Sequence, residues 1–482
     1  VSTTELEGLS EPDTVADGEH RLQRELGPFH LIMIGIGCII GAGIFVIAGT
    51  AAAVHAGPAV LISFAFAALA CLFAGLCYAE FAAMIPVSGS AYTYAYATMG
   101  RFMAWFIGWN LVLEYGVSAS TVAVGWSGYF VSLMSNIGVD FPASLANAPL
   151  AGAGPGDLRL TGAFINLPAI ILTLALTALL VVGMRASAQF NGAMVLIKTS
   201  IILLVILFGF PFLEPQNLSP FIPPNEGAFG QFGWSGILAA SGMVFFAYIG
   251  FDAVSVAAQE AKNPQRDIPI GIIGSLAISA ALYILIALVL VGITDYRMLN
   301  VPNPVSFAVG QVPALAWLAL PINVGALVGL ASVVFVSLYG QSRIFYCMAR
   351  DGFIWPLFGA VHPTFRTPHR GTVVTGLVAA VLAALFPLDI LADLVSIGTL
   401  LAFVVVCVGI MMLRLTAPSA RRPFRTPFVW LTAPLGVVSC TALMVSLSSA
   451  TWLRLVVWTA LGLAIYFAYG YRHAAPSKWK VS

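Results

Sequence analysis

Charge is what this chain has least of: 9% of its 482 residues are Asp, Glu, Lys or Arg, while 60% are hydrophobic. An ordinary soluble domain carries about 25% charged residues, so a water-facing fold of this length is excluded. The net charge of +1 gives no basic field for nucleic acid and no acidic field for a cationic protein. Signatures of catalysis are missing too. The six histidines form no HExxH or other metal-ligand grouping, and no Walker or GxSxG element occurs where it could act. No enzyme, metal or cofactor is expected. Cys38, Cys71, Cys77, Cys347, Cys407 and Cys440 lack the CxxC spacing of zinc or redox sites and read as small packing residues in apolar runs.

Apolar sequence is abundant instead. A membrane-spanning helix takes roughly 20 mainly apolar residues. Suitable runs fall at 29–54, 58–85, 99–134, 162–183, 189–211, 233–258, 268–293, 314–347, 371–387, 390–414, 427–448 and 451–471. They predict an all-α integral membrane protein with twelve transmembrane helices, its partner the lipid bilayer. Residues 1–28 are polar and lack an apolar core, which suits a cytoplasmic tail and not a secretory signal. Cations resist translocation. With the N-terminus inside, only Arg159, Arg297 and Arg454 of the 21 Lys and Arg face outward, Lys198 lies within a span, and the remainder face the cytoplasm. A multi-pass cell-membrane protein with both termini cytoplasmic is expected.

A glycine-loaded helix opens each of two five-helix blocks, 29–211 and 233–414. An odd number of spans per block inserts the second upside down, the plan of many secondary transporters. Residues 212–232 then form an extracellular loop, 415–471 supply helices eleven and twelve, and 472–482 are a cytoplasmic tail.

The first span holds Gly35, Gly37, Gly41 and Gly43. Each costs about 1 kcal/mol relative to Ala inside a helix, and bare backbone is tolerated in a bilayer only beside a cavity or ligand. A break near Gly41 would aim amides and a helix N-terminus at a carboxylate; the alternative is a GxxxG packing face from Gly37 to Gly41. A dinucleotide turn is excluded, since no strand precedes the run. In the sixth span, Gly250 and Asp252 interrupt an apolar helix. A second break there would leave carbonyls at Phe246, Ala247 and Ile249 for an ammonium group. Core packing for the aromatics and a cap or an interhelical hydrogen bond for Asp252 are the alternatives.

Two more ionisable groups lie deep. Lys198 sits about two turns into the fifth span, where a charge costs at least ~2.5–3.5 kcal/mol. It must face a cavity, pair, lose its proton, or snorkel to the headgroups. Glu114 in the third span could hold a cationic substrate, relay a proton with Lys198, or bond to a neighbouring helix. Glu80, near the end of the second span, reads as interfacial.

The run Gly35-Ile36-Gly37-Cys38-Ile39-Ile40-Gly41-Ala42-Gly43-Ile44-Phe45, with Phe246-Ala247-Tyr248-Ile249-Gly250-Phe251-Asp252, resembles the substrate-binding helices of the amino acid, polyamine and organocation (APC) permeases. Residues 109–115, Gly340-Gln341-Ser342-Arg343, Arg350-Asp351-Gly352 and Arg422-Pro423-Phe424-Arg425-Thr426-Pro427 are similar to its cationic amino acid transporter branch and bacterial relatives. The resemblance covers residues 21 to about 430. It implies a LeuT-like 5+5 inverted repeat with helices one and six broken. A substrate carboxylate would then meet amides around Gly41, Ala42 and Gly43, and its ammonium the carbonyls near Ile39, Phe246, Ala247 and Ile249. The Phe246 ring would cover the bound molecule.

Lys198 matches the family's fifth-helix lysine, which stands where sodium-coupled relatives hold an ion; proton coupling follows, with Lys198 bridging helices one and eight. Ser337 is a small pocket wall. Ala42 departs from relatives that place Ser or Thr there, removing a hydroxyl from the carboxylate site. The implied function is secondary active transport of L-amino acids, cationic or broad-range neutral, by proton symport through alternating access. Obligate exchange is the nearest rival; a channel would need a continuous polar ring that these isolated groups do not supply. Whether a small membrane accessory subunit takes part is not legible in the sequence.

Overall fold

The computed structural model describes residues 26–85, 90–152, 159–182, 188–365 and 367–474. The expected tails at 1–28 and 472–482 lie almost wholly outside them. Among the described residues nine helical stretches are long and apolar enough to cross a bilayer: Gly43–Met84, Arg101–Asn136, Gly192–Phe212, Gly233–Ser255, Pro264–Ile293, Pro313–Arg350, Leu388–Thr416, Val429–Ser446 and Ser449–His473. Three shorter apolar helices, Pro28–Ile39, Leu167–Val182 and His369–Leu385, accompany them. The protein is a multi-pass, all-helical membrane protein. Its one described hairpin, β1 (Leu150–Ala151) against β2 (Arg159–Leu160), lies in a connection.

Local sequence sets where helices stop. Helix α1 (Pro28–Ile39) starts with proline in its first turn and ends where Ile40 turns extended, at ψ 103°. Helical turns resume at 43–56 and stop at Gly57, whose φ of +59° and following Pro58 reverse the chain into α2 (Val60–Met84). A ten-residue helix, α3 (Ser90–Met99), fills a connection in which the sequence reading saw no element. Its Ser, Thr and Tyr content carries no spanning signal. Tyr92 on α3 donates to Asp351 at 2.6 Å, fastening this connection to the Arg350-Asp351-Gly352 turn.

The third stretch comprises α4 (Arg101–Leu111), a wide turn at Val112–Val117 and α5 (Ser118–Asn136). There follow α6 (Leu167–Val182), α7 (Ala188–Gly209), α8 (Gly233–Val244), α9 (Pro264–Ile293), α10 (Pro304–Gly310) and α11 (Ala319–Arg350). The last four are α12 (His369–Leu385), α13 (Leu388–Thr416), α14 (Val429–Ser446) and α15 (Ser449–Ile465). Helices α1, α2 and α9 pack with the stretch 233–260; α5, α6, α11 and α12 pack with one another. Helices α7 and α13 each touch both groups.

Glu80, which reads as interfacial from its place near the end of the second span, is not a lone acid there. It is fully buried at the end of α2, paired with Arg414 at 2.8 Å and Arg422 at 3.2 Å, and accepts from the Thr426 amide at 2.7 Å. Arg422 also donates to the carbonyls of Leu413, Ala417, Pro418 and Ala420. These close the C-terminal end of α13, whose last carbonyls have no helical partner. A buried charge survives only when paired and hydrogen-bonded, and this cluster meets both conditions. All six cysteines are free, and the structure buries or half-buries each.

Candidate functional site

The two glycine-marked interruptions meet. In the first, α1 ends at Ile39 and helix resumes after Gly41. In the second, α8 passes through a tight turn at Phe245–Tyr248; Ile249 is extended at ψ 138°, and Gly250 takes φ +114°, which glycine alone adopts readily. A side chain on Gly43 would overlap the Ala247 backbone. A Cβ on Gly250 would stand 3.0 Å from the Cys38 carbonyl. Glycine therefore lets each broken segment touch the other's backbone. Close packing occurs along the run as well: Gly35 lies against Ser275 of α9 and Gly41 against Val333 of α11.

Carbonyls released by the breaks are taken by side chains. Lys198, fully buried on α7, donates its Nζ to Gly37 O and, at 2.8 Å, to Ile40 O. Snorkelling is thereby excluded. Its link to α11 is packing of its stem against Gly329, not a hydrogen bond, so the expected bridge is polar on one side only. Tyr283 of α9 reaches both interruptions at once, its hydroxyl 2.8 Å from Ile39 O and 3.0 Å from Ala247 O. Phe246 O is used by the Ile249 amide at 3.3 Å. Tyr129 donates to Phe45 O at 2.7 Å.

A cavity of about 40 Å³ lies between the breaks, lined by Ile39, Gly41, Ala42, Gly43, Phe246 and Ile249 on one side and Glu114 and Ser337 on another. That is room for about three waters, so anything the size of an amino acid needs the walls to part. Eight of the ten residues singled out from sequence line it. The other two are not in the lining: Ala247 abuts Gly43, and Lys198 holds main-chain carbonyls of the first break. Asp252 forms the interhelical bond weighed above, accepting from Tyr115 Oη at 2.8 Å. Glu114 is buried within hydrogen-bonding reach of Asp252, and its Oε1 has no hydrogen-bond partner among the described residues. No ion pair or hydrogen bond joins Glu114 to Lys198 among the described residues, so any relay between them needs an intermediary.

Sequence reasoning missed Tyr283, Cys38 and the apolar wall of Val122, Val333 and Val336. Tyr283 did carry a signal: a hydroxyl deep in an aliphatic span must find an acceptor. The valines carried none. Among the described residues no His, Cys, Asp and Glu cluster could hold a metal ion.

Two interrupted helices meeting at one cavity is a carrier's geometry, and residues 26–468 match the family described as amino acid permease. The chain belongs to that family. Membership implies a LeuT-like fold and a transporter, not an enzyme. This permease is 46% identical over 457 residues to a methylthioribose transporter of Bacillus subtilis (strain 168), and 44% identical over 458 residues to a branched-chain amino acid permease of the same organism; each match covers 95% of both chains. It is 37% identical over 396 residues to a human cationic amino acid transporter, spanning 82% of this permease and 60% of that protein.

Proposed function

We propose that this permease carries L-amino acids across the cell membrane by proton-coupled symport through alternating access. The observation that carries the reading is the meeting of the two glycine-marked breaks at one cavity, with a buried lysine fastened to the first break. Joining Pro28–Ile39 to 43–56, and dividing Gly43–Met84 at Gly57, makes twelve spans of the helices described above. The packing supports a 5+5 repeat of spans one to five on six to ten. Spans one and two group with six and seven, three and four with eight and nine, and five and ten each touch both groups.

In this reading the substrate carboxylate binds the amides of Gly41, Ala42 and Gly43. The ammonium takes the carbonyls near Ile39, Phe246, Ala247 and Ile249, competing with the Tyr283 hydroxyl. Lys198 holds the first break closed while protonated and releases it on losing the proton. Glu114 is the second proton-handling group. Val122, Val333, Val336 and Ile249 around Ser337 suit a neutral aliphatic side chain, in keeping with the branched-chain permease; Glu114 keeps a cationic side chain as the alternative.

The methylthioribose transporter supports a second reading, a neutral thio-sugar substrate without ammonium or carboxylate. Thermal-shift titration of purified protein with leucine, valine, arginine and methylthioribose separates these readings, since a ligand raises apparent stability by mass action. Uptake into empty proteoliposomes under an inward proton gradient then separates symport from obligate exchange, which stays silent without internal substrate.

A further inference from the structure

One end of the bundle carries a groove that the transport site does not use. It runs between the start of α9 and the segment following α13, has a volume of about 600 Å³, and is lined by Arg266, Pro269, Ile270, Ile273, Pro423 and Phe424 among others. The wall bearing Pro423 and Phe424 is held in place by its neighbour in the chain, Arg422, through Glu80 and four main-chain carbonyls. The groove is thus built on a buried ion-pair cluster. It also opens to the surroundings of the bundle: Arg266 and Ile270 are exposed, and Pro269, Ile273 and Phe424 line it from deeper levels.

Its dimensions and charge identify the occupant. From Arg266 to Gly274 the helix rises about 12 Å, most of one hydrocarbon leaflet of about 15 Å. The mouth is cationic, the floor apolar. Lys262, Arg266, Arg421 and Arg425 are all exposed around this end, and no ion pair engages them among the described residues. Water filling the floor would wet Pro269, Ile270, Ile273 and Phe424, while a protein partner would have to enter the bilayer to reach it. The bilayer around the bundle supplies lipid as the available occupant.

We propose that this groove binds an anionic phospholipid, with the phosphate at Arg266 and one acyl chain laid along Pro269, Ile270 and Ile273 against Phe424. Selectivity for a negative headgroup comes from these cations, which have no ion pair among the described residues, each favouring an anionic surface by about fivefold.

The test uses the full-length protein in detergent, with phosphatidylglycerol, phosphatidylcholine of the same acyl chains, and glycerol 3-phosphate as probes, read by native mass spectrometry and by thermal shift. Phosphatidylglycerol is expected to stay bound and to raise the apparent Tm more than phosphatidylcholine. Arg266→Gln, an exposed position that folding does not depend on, should lower that preference about fivefold without changing retention of phosphatidylcholine. Ile273→Trp, which fills the floor, should expel both lipids. An unchanged preference in Arg266→Gln would overturn the proposal. So would a full thermal shift from glycerol 3-phosphate alone, since that would mark a phosphate site without a lipid.

Discussion

Replacing Lys198 with methionine tests the coupling mechanism where the structure makes the sharpest statement. The ammonium donates two hydrogen bonds, to Gly37 O and Ile40 O, and bonds to a charged group contribute about 1.5–3 kcal/mol each. Between about 3 and 6 kcal/mol therefore hold the first break in its observed shape. Methionine keeps the length of the side chain and removes a charge whose burial costs at least ~2.5–3.5 kcal/mol, so the two changes largely offset and the variant should fold. What it loses is the proton. With one proton per substrate, a gradient of one pH unit supports at most about tenfold accumulation, because one unit is 1.36 kcal/mol. Proteoliposomes containing Lys198→Met, given that gradient and radiolabelled substrate, should equilibrate at a ratio near one. Preloaded vesicles should still exchange. Concentrative uptake by the variant at the wild-type ratio would refute the role of Lys198 outright.

Other perturbations separate the remaining groups. Glu114→Gln should flatten the pH dependence of uptake; if affinity and pH profile both match wild type, Glu114 plays no part in the site. Tyr283→Phe keeps the ring against Phe64 and Tyr248, at centroid distances of 5.8 and 5.3 Å, and removes only the tether between Ile39 O and Ala247 O. Because that hydroxyl competes with the substrate ammonium for both carbonyls, losing a bond of about 1.4 kcal/mol predicts roughly tenfold tighter binding in a thermal-shift titration, and unchanged affinity would dismiss the competition. Glu80→Gln strips the acid from two guanidinium groups, and breaking a buried pair costs about 3–5 kcal/mol. Its apparent Tm in detergent should fall well below wild type, while a cytoplasm-facing surface role would leave Tm unchanged.

Composition and spacing carried a long way here. A chain with 9% charge and 60% hydrophobic residues cannot fold in water, so the membrane, the helices and most of their limits follow from solvation of the peptide group alone. Gly41, Gly43 and Gly250 were legible as weak points because glycine is costly in a helix and must be tolerated for a reason. Lys198 was legible because a lone cation in hydrocarbon demands partners. None of these inferences needs to know which helix lies beside which.

Partnership was the part that sequence withheld. Glu80 looked like an interfacial acid because its two arginines lie 334 and about 340 positions away in the chain, and a pairing over that separation has no local trace. Tyr283 looked like one more aromatic in a span until α9 crossed both breaks and set one hydroxyl between two carbonyls. Val122, Val333 and Val336 are indistinguishable from any lipid-facing valine by type or spacing. Single residues betray their own solvation cost, and so the sequence by itself determined where the chain is apolar, where it is weak and which charges need company. Which distant group meets each need depends on helix packing, and that was decided only in the tertiary structure.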